Sequence, residues 1–369
     1  MGVRDRVEQL TRELVLMGSS NHEKGFLERL TFVESYMADL GASVRRFGSS
    51  EHPALAGLFG DAKSGGDKGS GVVLCGHLDT VPVGGGWSRA QGELVGGRVY
   101  GRGACDMLGG CAAMLLAAEN SLETSFVLCF TTDEETKMVG AESLVKTGLL
   151  SGAKLVVVGE PTNLCVCAGE RGVYHLRITT RGRSAHAATP EEGENAVSKM
   201  VVLLGELEAL KRELEGERVV LGVNVVRGGV KVNVIPDTCV AEVDIRFSAP
   251  NTPEKIFCLV RERLDRAGVG YELETMQALP AVSTSLEHPL VAKLVEHVHR
   301  ETGKSPVGEV PYATECAKYV CLNKPMVILG PGNPKLAHKP DEYVEVSELV
   351  DAVELYTWII EWLGNQDSG

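Results

Sequence analysis

The sequence predicts an α/β fold in which a small β-α-β-β-α-β domain is inserted into a larger domain built on a parallel or mixed sheet. Three observations predict it. Apolar runs of strand length recur along the chain, with helical stretches between them. Each strong run leads into a turn that carries histidine or carboxylate residues. In the middle of the chain, alternating patterns replace the apolar runs, which is typical of strands with one exposed face.

The larger domain is predicted at both ends of the chain, in residues 1–169 and 280–369. Apolar residues at helical spacing, from Val3 to Met17, predict an amphipathic helix at the start. Ser347 is a suitable N-cap for the last helix. The predicted strands are 72–75, 126–130, 155–158 and 326–329, and the predicted helices between and after them are 107–118, 141–149 and 347–363. Continuous apolar strands indicate a sheet that helices cover on both faces.

Residues 170–279 are predicted to form the inserted domain. Its predicted strands are 174–180, 219–226, 232–247 and 271–276, and its predicted helices are 194–215 and 252–267. This order is the split β-α-β arrangement. Residues 61–70, rich in glycine, are predicted to form a flexible turn before the first strong strand.

Composition excludes several classes of function. The 369 residues include 50 acidic and 37 basic side chains, a net charge of −13, which argues against nucleic acid or an anionic membrane as the main partner. No apolar run approaches the roughly 18 residues of a membrane span, and the start has no apolar signal core. The 10 cysteines are scattered without a CxxC pair, so we expect buried free thiols and a cytoplasmic protein.

Residues suited to metal binding gather after the predicted strands. The turns carry two histidines and several carboxylates, and Asp106 begins a predicted helix. Each of them alone is more typical of an ordinary turn or helix start, but together they suit zinc or a similar divalent ion. Carboxylates in such number repel one another unless cations balance them, and two metals that share one bridging carboxylate would do so. The candidates are His77, Asp79, Asp106, Glu134, Glu135, Glu160 and His338.

A partial glycine motif resembles a dinucleotide-binding site but lacks one of its required glycines. Gly101, Gly103 and Asp106 half-match the dinucleotide fingerprint, which requires glycine at the last of these positions. An aspartate there would repel a pyrophosphate. The sequence therefore argues against a nicotinamide-dependent enzyme.

Seven blocks, in order along nearly the whole chain, resemble one enzyme family. They are GHLDTVP, GRGACDMLGG, TTDEE, VVGEPT, GRSAHAATPEEGENA, VNVIPD and AHKPDEYV. They resemble the acetylornithine deacetylase, succinyl-diaminopimelate desuccinylase and aminoacylase family of two-zinc amidohydrolases. The resemblance implies a mixed-sheet catalytic domain interrupted by a ferredoxin-like lid through which the chain forms a homodimer. It also implies two divalent ions, zinc first, with cobalt or manganese as alternatives.

The resemblance also assigns roles to the candidate ligands. One metal would be held by His77, Asp106 and Glu160, and the other by Asp106, Glu135 and His338. Asp79 would orient His77 through its other ring nitrogen, a contact that sets the tautomer of a ligand histidine. Glu134, next to a ligand but free itself, would be the general base.

Three lid residues are implied to reach the substrate. By the resemblance, His186 of the partner subunit would stabilise the oxyanion, Arg246 would grip a substrate carboxylate, and Asn233 would contact substrate. From the residues alone, His186 fits a polar turn, Arg246 fits a salt-bridged strand, and Asn233 fits a strand edge. An Arg fork does suit a carboxylate.

The substrate is the most open prediction. The block PYATECA resembles acetylornithine deacetylases more than desuccinylases, and Glu315 in it could meet a cationic side chain or be a solvated helix-start acid. We therefore expect deacetylation of an N-acetyl basic amino acid such as N-acetylornithine or N-acetyllysine. The alternatives are a succinyl-diaminopimelate desuccinylase, an aminoacylase or a dipeptidase. A non-catalytic protein that binds an amino-acid derivative is a remote alternative, because every ligand position and Glu134 are present.

Overall fold

The computed structural model describes residues 2–17, 22–64 and 71–364. These residues divide into two compact units. The first comprises Met1–Gly169, Ser283–Glu309 and Thr314–Gly369, and the second comprises Glu170–Val282 and Val310–Ala313. Among the described helices, none combines the length and the apolar character needed to cross a bilayer.

Helices and strands alternate along most of the chain. The helices are α1 (Val3–Leu16), α2 (His22–Asp39), α3 (Gly109–Asn120), α4 (Val139–Lys146), α5 (Ala196–Glu213), α6 (Pro253–Asp265), α7 (Pro289–Thr302), α8 (Cys316–Tyr319) and α9 (Val346–Gly364). The strands are β1 (Ser43–Gly48), β2 (Pro53–Phe59), β3 (Val72–His77), β4 (Glu93–Val95), β5 (Arg98–Tyr100), β6 (Phe126–Thr131), β7 (Leu155–Val158), β8 (Gly169–Glu170), β9 (Gly172–Arg181), β10 (Val219–Gly228), β11 (Thr238–Phe247), β12 (Glu272–Leu279), β13 (Val282–Ser283), β14 (Met326–Ile328) and β15 (Tyr343–Glu345).

A mixed sheet of 6 strands, in the order β1-β2-β6-β3-β7-β14, is the centre of the first unit. Strand β3 pairs in parallel with β6 and β7, and β14 pairs in parallel with β7. Strands β1 and β2 are antiparallel additions at one side. The four parallel strands are buried along their whole length, as continuous apolar runs require. The mixed α/β fold predicted from the sequence is confirmed.

Helix α3 packs closely on the sheet of the first unit. Its residues Gly109 to Ala118 are all buried, and it packs against α9 and α1. Gly110 allows the closest approach, because a Cβ there would lie 2.6 Å from the carbonyl oxygen of Gly159. The helix therefore sits directly on the strand ends that precede the candidate site.

The second unit contains an antiparallel sheet of 4 strands in the order β10-β11-β9-β12. In chain order its elements run β9-α5-β10-β11-α6-β12. Along strand β11, buried and half-buried residues alternate strictly. The buried residues pack against α5 and α6. Thr252 caps α6 through its side chain, and Asn195 caps α5 in the same way.

Several predicted boundaries differ from the structure. The strand predicted from residue 232 begins only at Thr238, because residues 231–234 form a turn and Pro236 lacks an N–H to donate. Ser347 is not an N-cap, since β15 runs directly into α9 at Val346. The helix predicted from residue 107 begins at Gly109, after an irregular turn around Asp106.

Some helices and strands were not predicted from the sequence, and one predicted turn lies partly outside the residues that the structure describes. The sequence reading missed α2, α7 and the antiparallel pair β1 and β2. Of the turn predicted at 61–70, residues 61–64 belong to a short 3-10 helix, and residues 65–70 lie outside the described part of the chain.

Leu74→Ala is expected to destabilise the first unit by about 2–5 kcal/mol, the usual cost of a large-to-small change in a packed core. Leu74 is fully buried on β3, in the middle of the sheet. The midpoint and slope of urea unfolding would measure the loss. Leu94→Ala, at a side chain that is 37% exposed, is the matched control and should change the stability by well under half as much. Equal stability of the two variants would contradict the packing described above.

Candidate metal centre

Sheet topology brings the candidate ligands to one edge. Strands β3, β6, β7 and β14 are parallel, so their carboxyl ends lie on the same side. His77 is the last residue of β3, and Glu134 and Glu135 follow β6. Glu160 follows β7, and His338 lies in the segment after β14.

These residues form two sets that share one aspartate. His77, Asp106 and Glu160 form the first set, and Asp106, Glu135 and His338 form the second. In each set the ligand atoms all lie within 4.8 Å of one another. The sets thus contain the five residues that the sequence predicts as metal ligands.

Asp106 turns a different oxygen toward each histidine. Its Oδ1 lies 3.3 Å from Nε2 of His77, and its Oδ2 lies 3.3 Å from Nε2 of His338. Nε2 of His77 is also 3.4 Å from a carboxylate oxygen of Glu160, and Nε2 of His338 is 3.1 Å from one of Glu135. One carboxylate can therefore serve two ions at once.

The donor set fits two divalent cations. Each set offers one imidazole nitrogen and two carboxylates, which suits zinc and other first-row divalent ions. Burial, together with the nearby Asp106 carboxylate, raises the pKa of Glu160 to about 8. Burial also raises the pKa of Glu134 well above its ordinary value, and the surrounding carboxylates add to the effect. Two cations would relieve this crowding of negative charge and keep the carboxylates ionised.

The pKa values of the two histidines are raised as well, by the carboxylates around them. Burial alone would lower the pKa of His77, but the neighbouring carboxylates, first that of Glu160, raise it well above its ordinary value. Hydrogen bonds to Asp106 and Glu135 raise the pKa of His338 to about 10. Cations bound to these histidines would compete with protons for the ring nitrogens, which makes metal affinity depend on pH.

Asp79 lies beside Nδ1 of His77, the ring nitrogen that does not face the other members of the ligand set. The ring nitrogen Nδ1 of His77 lies 3.0 Å from the backbone carbonyl oxygen of Asp79, whereas the Asp79 carboxylate is 3.6 Å away. That carboxylate accepts hydrogen bonds from the backbone N–H groups of Glu134 and Glu135 at 3.3 and 3.2 Å. Asp79 therefore ties the end of β3 to the turn after β6.

A buried ion pair that the sequence reading missed supports Asp106. The carboxylate of Glu342, which is fully buried, accepts the backbone N–H groups of Cys105 and Asp106 at 2.9 and 3.1 Å. Arg102 pairs with the other oxygen of Glu342. The sequence signal for this ion pair was the presence of an arginine in the block GRGACDM and a glutamate in the block HKPDEYV. Only the fold shows that the two blocks meet.

Glu315, predicted to meet a cationic side chain of the substrate, is buried in the structure. It is 1% exposed, and its carboxylate accepts hydrogen bonds from the hydroxyls of Thr131 and Tyr319. Burial raises the pKa of Glu315 to about 7. The residue supports the end of β6 from within the protein, and this burial argues against direct contact with a cationic substrate.

The remaining predicted residues belong to the second unit. His186 lies opposite Val234 in a short antiparallel bridge, and the N–H of Ala187 donates to the carbonyl of Asn233 at 3.1 Å. His186 and Asn233 are therefore neighbours. Arg246 lies on β11, where its Nε donates to Asp244 at 2.8 Å. Their contacts with a substrate stay a prediction.

Comparison with known proteins agrees with this geometry. The sequence profile of peptidase family M20/M25/M40 matches residues 73–362. The chain belongs to this family. The family resemblance of the seven blocks is thereby confirmed, and the chain is a metal-dependent hydrolase.

Individual relatives of this M20 chain carry several names. Acetylornithine deacetylase of Myxococcus xanthus is 32% identical over 305 residues, covering 77% of this chain and 79% of the relative. Succinyl-diaminopimelate desuccinylase of Rhodospirillum centenum is 29% identical over 379 residues, covering 95% and 96%. An M20 metallo-carboxypeptidase of Sulfolobus solfataricus has the same fold, with a TM-score of 0.79 at 16% identity over 99% of this chain and 100% of the other.

Glu342→Gln is expected to weaken divalent-ion binding by about 10- to 100-fold, since the outer contacts of metal ligands are typically worth that much. The neutral amide loses the ion pair with Arg102 and holds the Asp106 backbone less firmly. Calorimetric titration of the chelator-treated protein with zinc would measure the affinity.

Glu345→Gln provides the matched control for that measurement. Glu345 lies three residues further along and pairs with Arg98 on a half-exposed surface, where an ion pair contributes little. Its metal affinity should equal that of the unchanged protein. Equal affinities for the Glu342 and Glu345 variants would contradict the supporting role of Glu342.

Proposed function

We propose that this M20 enzyme hydrolyses the amide bond of an N-acyl amino acid, with Glu134 as general base. The arrangement of Glu134 carries the proposal. It follows β6 directly before Glu135, belongs to neither ligand set, and is surrounded by the carboxylates of both. Two divalent ions, when bound, supply Lewis acidity and lower the pKa of a water toward about 7.

The chain's own residues then perform the proton transfers. Glu134 accepts the proton of the attacking water and later donates it to the leaving amine nitrogen. His186 of the partner subunit donates from Nε2 to the oxyanion. The contacts of His186 support this role, because its Nδ1 accepts the N–H of Ala188 at 3.1 Å and a neutral ring then carries its proton on Nε2. Arg246 and Asn233 bind the substrate.

For the substrate, we propose an N-acetyl basic amino acid first and an N-succinyl amino acid second. Among the relatives, the deacetylase name at 32% identity supports the first, and the desuccinylase name over 95% of the chain supports the second. The burial of Glu315 removes the residue that favoured a basic side chain. Aminoacylase and dipeptidase activities use the same chemistry. A binding protein without activity would have no need for an unliganded acid at Glu134.

Zinc is the proposed metal, with cobalt and manganese as alternatives that the same ligands accept. We also propose a cytoplasmic location. All ten cysteines lie in the described part of the chain and none forms a disulfide there, which suits a reducing compartment.

Glu134→Gln is expected to lower turnover by at least ~100-fold while both metals stay bound, because general acid–base catalysis typically contributes that much. Hydrolysis of N-acetylornithine, N-acetyllysine, N-acetylmethionine and N-succinyl-diaminopimelate would be measured on zinc-loaded and chelator-treated protein, with metal content determined in parallel. Glu142→Gln, at an acid of α4 paired with Lys146 on the surface, should keep full activity.

The outcomes of this experiment separate its parts. Hydrolysis of none of the four compounds, or hydrolysis unaffected by the chelator, would refute the proposed function. Full activity of the Glu134 variant would remove that residue from its role. Preference for the succinyl compound would change only the substrate assignment.

We further propose that the chain forms a homodimer through the second unit. Strand β10 is at the edge of its sheet, and Val220 and Val226 on it are 53% and 51% exposed. Val201 on α5 is 61% exposed, and α5 packs on β10. An edge strand beside exposed apolar side chains is a common interface, and a second copy could pair with it.

Val201→Glu is expected to convert the dimer to a monomer, because a charge would be buried in the interface. Light scattering coupled to size-exclusion chromatography would give the mass. Val95→Glu is the control: it makes the same change at a valine of the first unit that is 39% exposed, and it should leave the dimer intact. A monomeric unchanged protein, or a dimer that both Val201→Glu and Val220→Glu leave intact, would refute this interface.

A further inference from the structure

A cavity of about 290 Å³ adjoins the candidate metal centre on the side of Glu135. Asp79 and Glu135 line it, so it shares two residues with the centre. Its surface is mainly apolar, with contributions from Phe26, Val81 and Pro82. All its lining residues belong to the first unit.

Arg29, on α2, is the unusual residue of this cavity. It lines the cavity but is only 4% exposed. Its Nε donates to the carbonyl of Leu14 at 2.8 Å, and its Nη1 donates to the carbonyl of Leu78 at 3.0 Å. In the described part of the chain no carboxylate forms an ion pair with it. A buried charge is costly without a partner, and burial lowers the pKa of the Arg29 guanidinium to about 10.

The acids around the cavity are already engaged elsewhere. Asp79 accepts two backbone N–H groups. Asp133 accepts the hydroxyl of Thr136 and lies 3.6 Å from His52. Glu135 faces His338 in the second ligand set. Glu51 is exposed, where a charge is screened by water. The guanidinium of Arg29 thus forms no ion pair in this lining, although the charges of Asp79 and Glu28 act against the effect of burial on its pKa.

Arg29 is also close to the reacting centre. Leu78, whose carbonyl it binds, directly follows the candidate ligand His77. Because Val81, Pro82 and Arg29 all line this cavity, a group bound in it would contact apolar side chains and the guanidinium. A short carbon chain that ends in a carboxylate has this chemistry.

We infer that this cavity is a carboxylate-binding subsite of the enzyme, in which Arg29 pairs with a carboxylate of the substrate. The inference rests on the proposed amide hydrolysis. The carboxylate comes either from the α-carboxyl of the amino-acid part or from the far end of a dicarboxylic acyl group. The subsite makes an anionic arm a condition for tight binding.

Three probe substrates separate these sources: N-acetylmethionine, N-acetylmethionine amide and N-succinylmethionine amide. They carry a carboxylate on the amino acid, nowhere, and on the acyl group, respectively. In Arg29→Met, KM is expected to rise by about 10- to 100-fold for the probe whose carboxylate enters the subsite, the usual worth of a hydrogen-bonded charge. The KM for the neutral probe should stay within twofold, and kcat should change less than KM.

Two further variants keep the test decisive if Arg29→Met unfolds, since it removes donors from two backbone carbonyls. Val81→Phe fills the cavity and leaves Arg29 in place, so it should raise KM for the same probe. Arg12→Met is the matched control, because Nε of Arg12 also donates to a backbone carbonyl, that of Gly92, but Arg12 does not line the cavity. It should leave all three KM values unchanged.

Binding provides a readout that does not depend on turnover. Calorimetric titration of chelator-treated protein with succinate should detect binding that Arg29→Met and Val81→Phe each abolish and Arg12→Met preserves. Absence of succinate binding to the unchanged protein, or an equal rise in KM for all three probes in Val81→Phe, would overturn the subsite. If no probe is hydrolysed but succinate binding follows this pattern, the proposed function fails and the subsite stands.

Discussion

The carboxylate of Asp106 is the contact on which the candidate centre depends. Its two oxygens face histidines that come from distant parts of the chain, one at the end of β3 and one after β14. Hydrogen bonds from these histidines hold the pKa of Asp106 well below its usual range, although burial acts in the opposite direction. Positive charge beside each of its oxygens favours the ionised form of this carboxylate, and two divalent ions would supply that charge without the need for protonated imidazoles.

Much of the surrounding structure keeps this carboxylate in place. Glu342 holds the backbone at Asp106 and is itself paired with Arg102 in the interior. Asp79 joins the end of β3 to the turn that carries Glu134 and Glu135. Such contacts cost flexibility, but they hold acids of like charge close together, and one of these acids, Glu134, belongs to neither ligand set. The site is thus supported by side chains that bind backbone groups, in addition to the ligands.

The first unit contains both the candidate metal ligands and the cavity with Arg29. Most of the candidate metal ligands follow the carboxyl ends of its parallel strands, where α/β sheets generally bind their ligands, and Asp106 lies in the turn before α3. The cavity with Arg29 lies at the same edge, but α2 forms one wall of it, and α2 has no part in the ligand sets. The proposed chemistry and the inferred carboxylate subsite thus rest on different elements of the first unit. Of the predicted residues in the second unit, Arg246 lies on strand β11, and His186 and Asn233 lie in loops that meet outside the strands of its sheet.

The sequence by itself determined the α/β class, the strand-end positions of His77, Glu134, Glu135 and Glu160, and through its seven blocks the family. These follow from local pattern, because buried parallel strands are continuously apolar and their ends meet at one edge. Only the tertiary structure decided that Glu315 is buried beneath Thr131 and Tyr319, that Arg102 and Glu342 support Asp106, and that Arg29 lines a cavity. The burial and pairing of a charged side chain depend on residues that are far apart in the sequence. The identity of a polar residue therefore does not show which partner it will have or how much water will surround it.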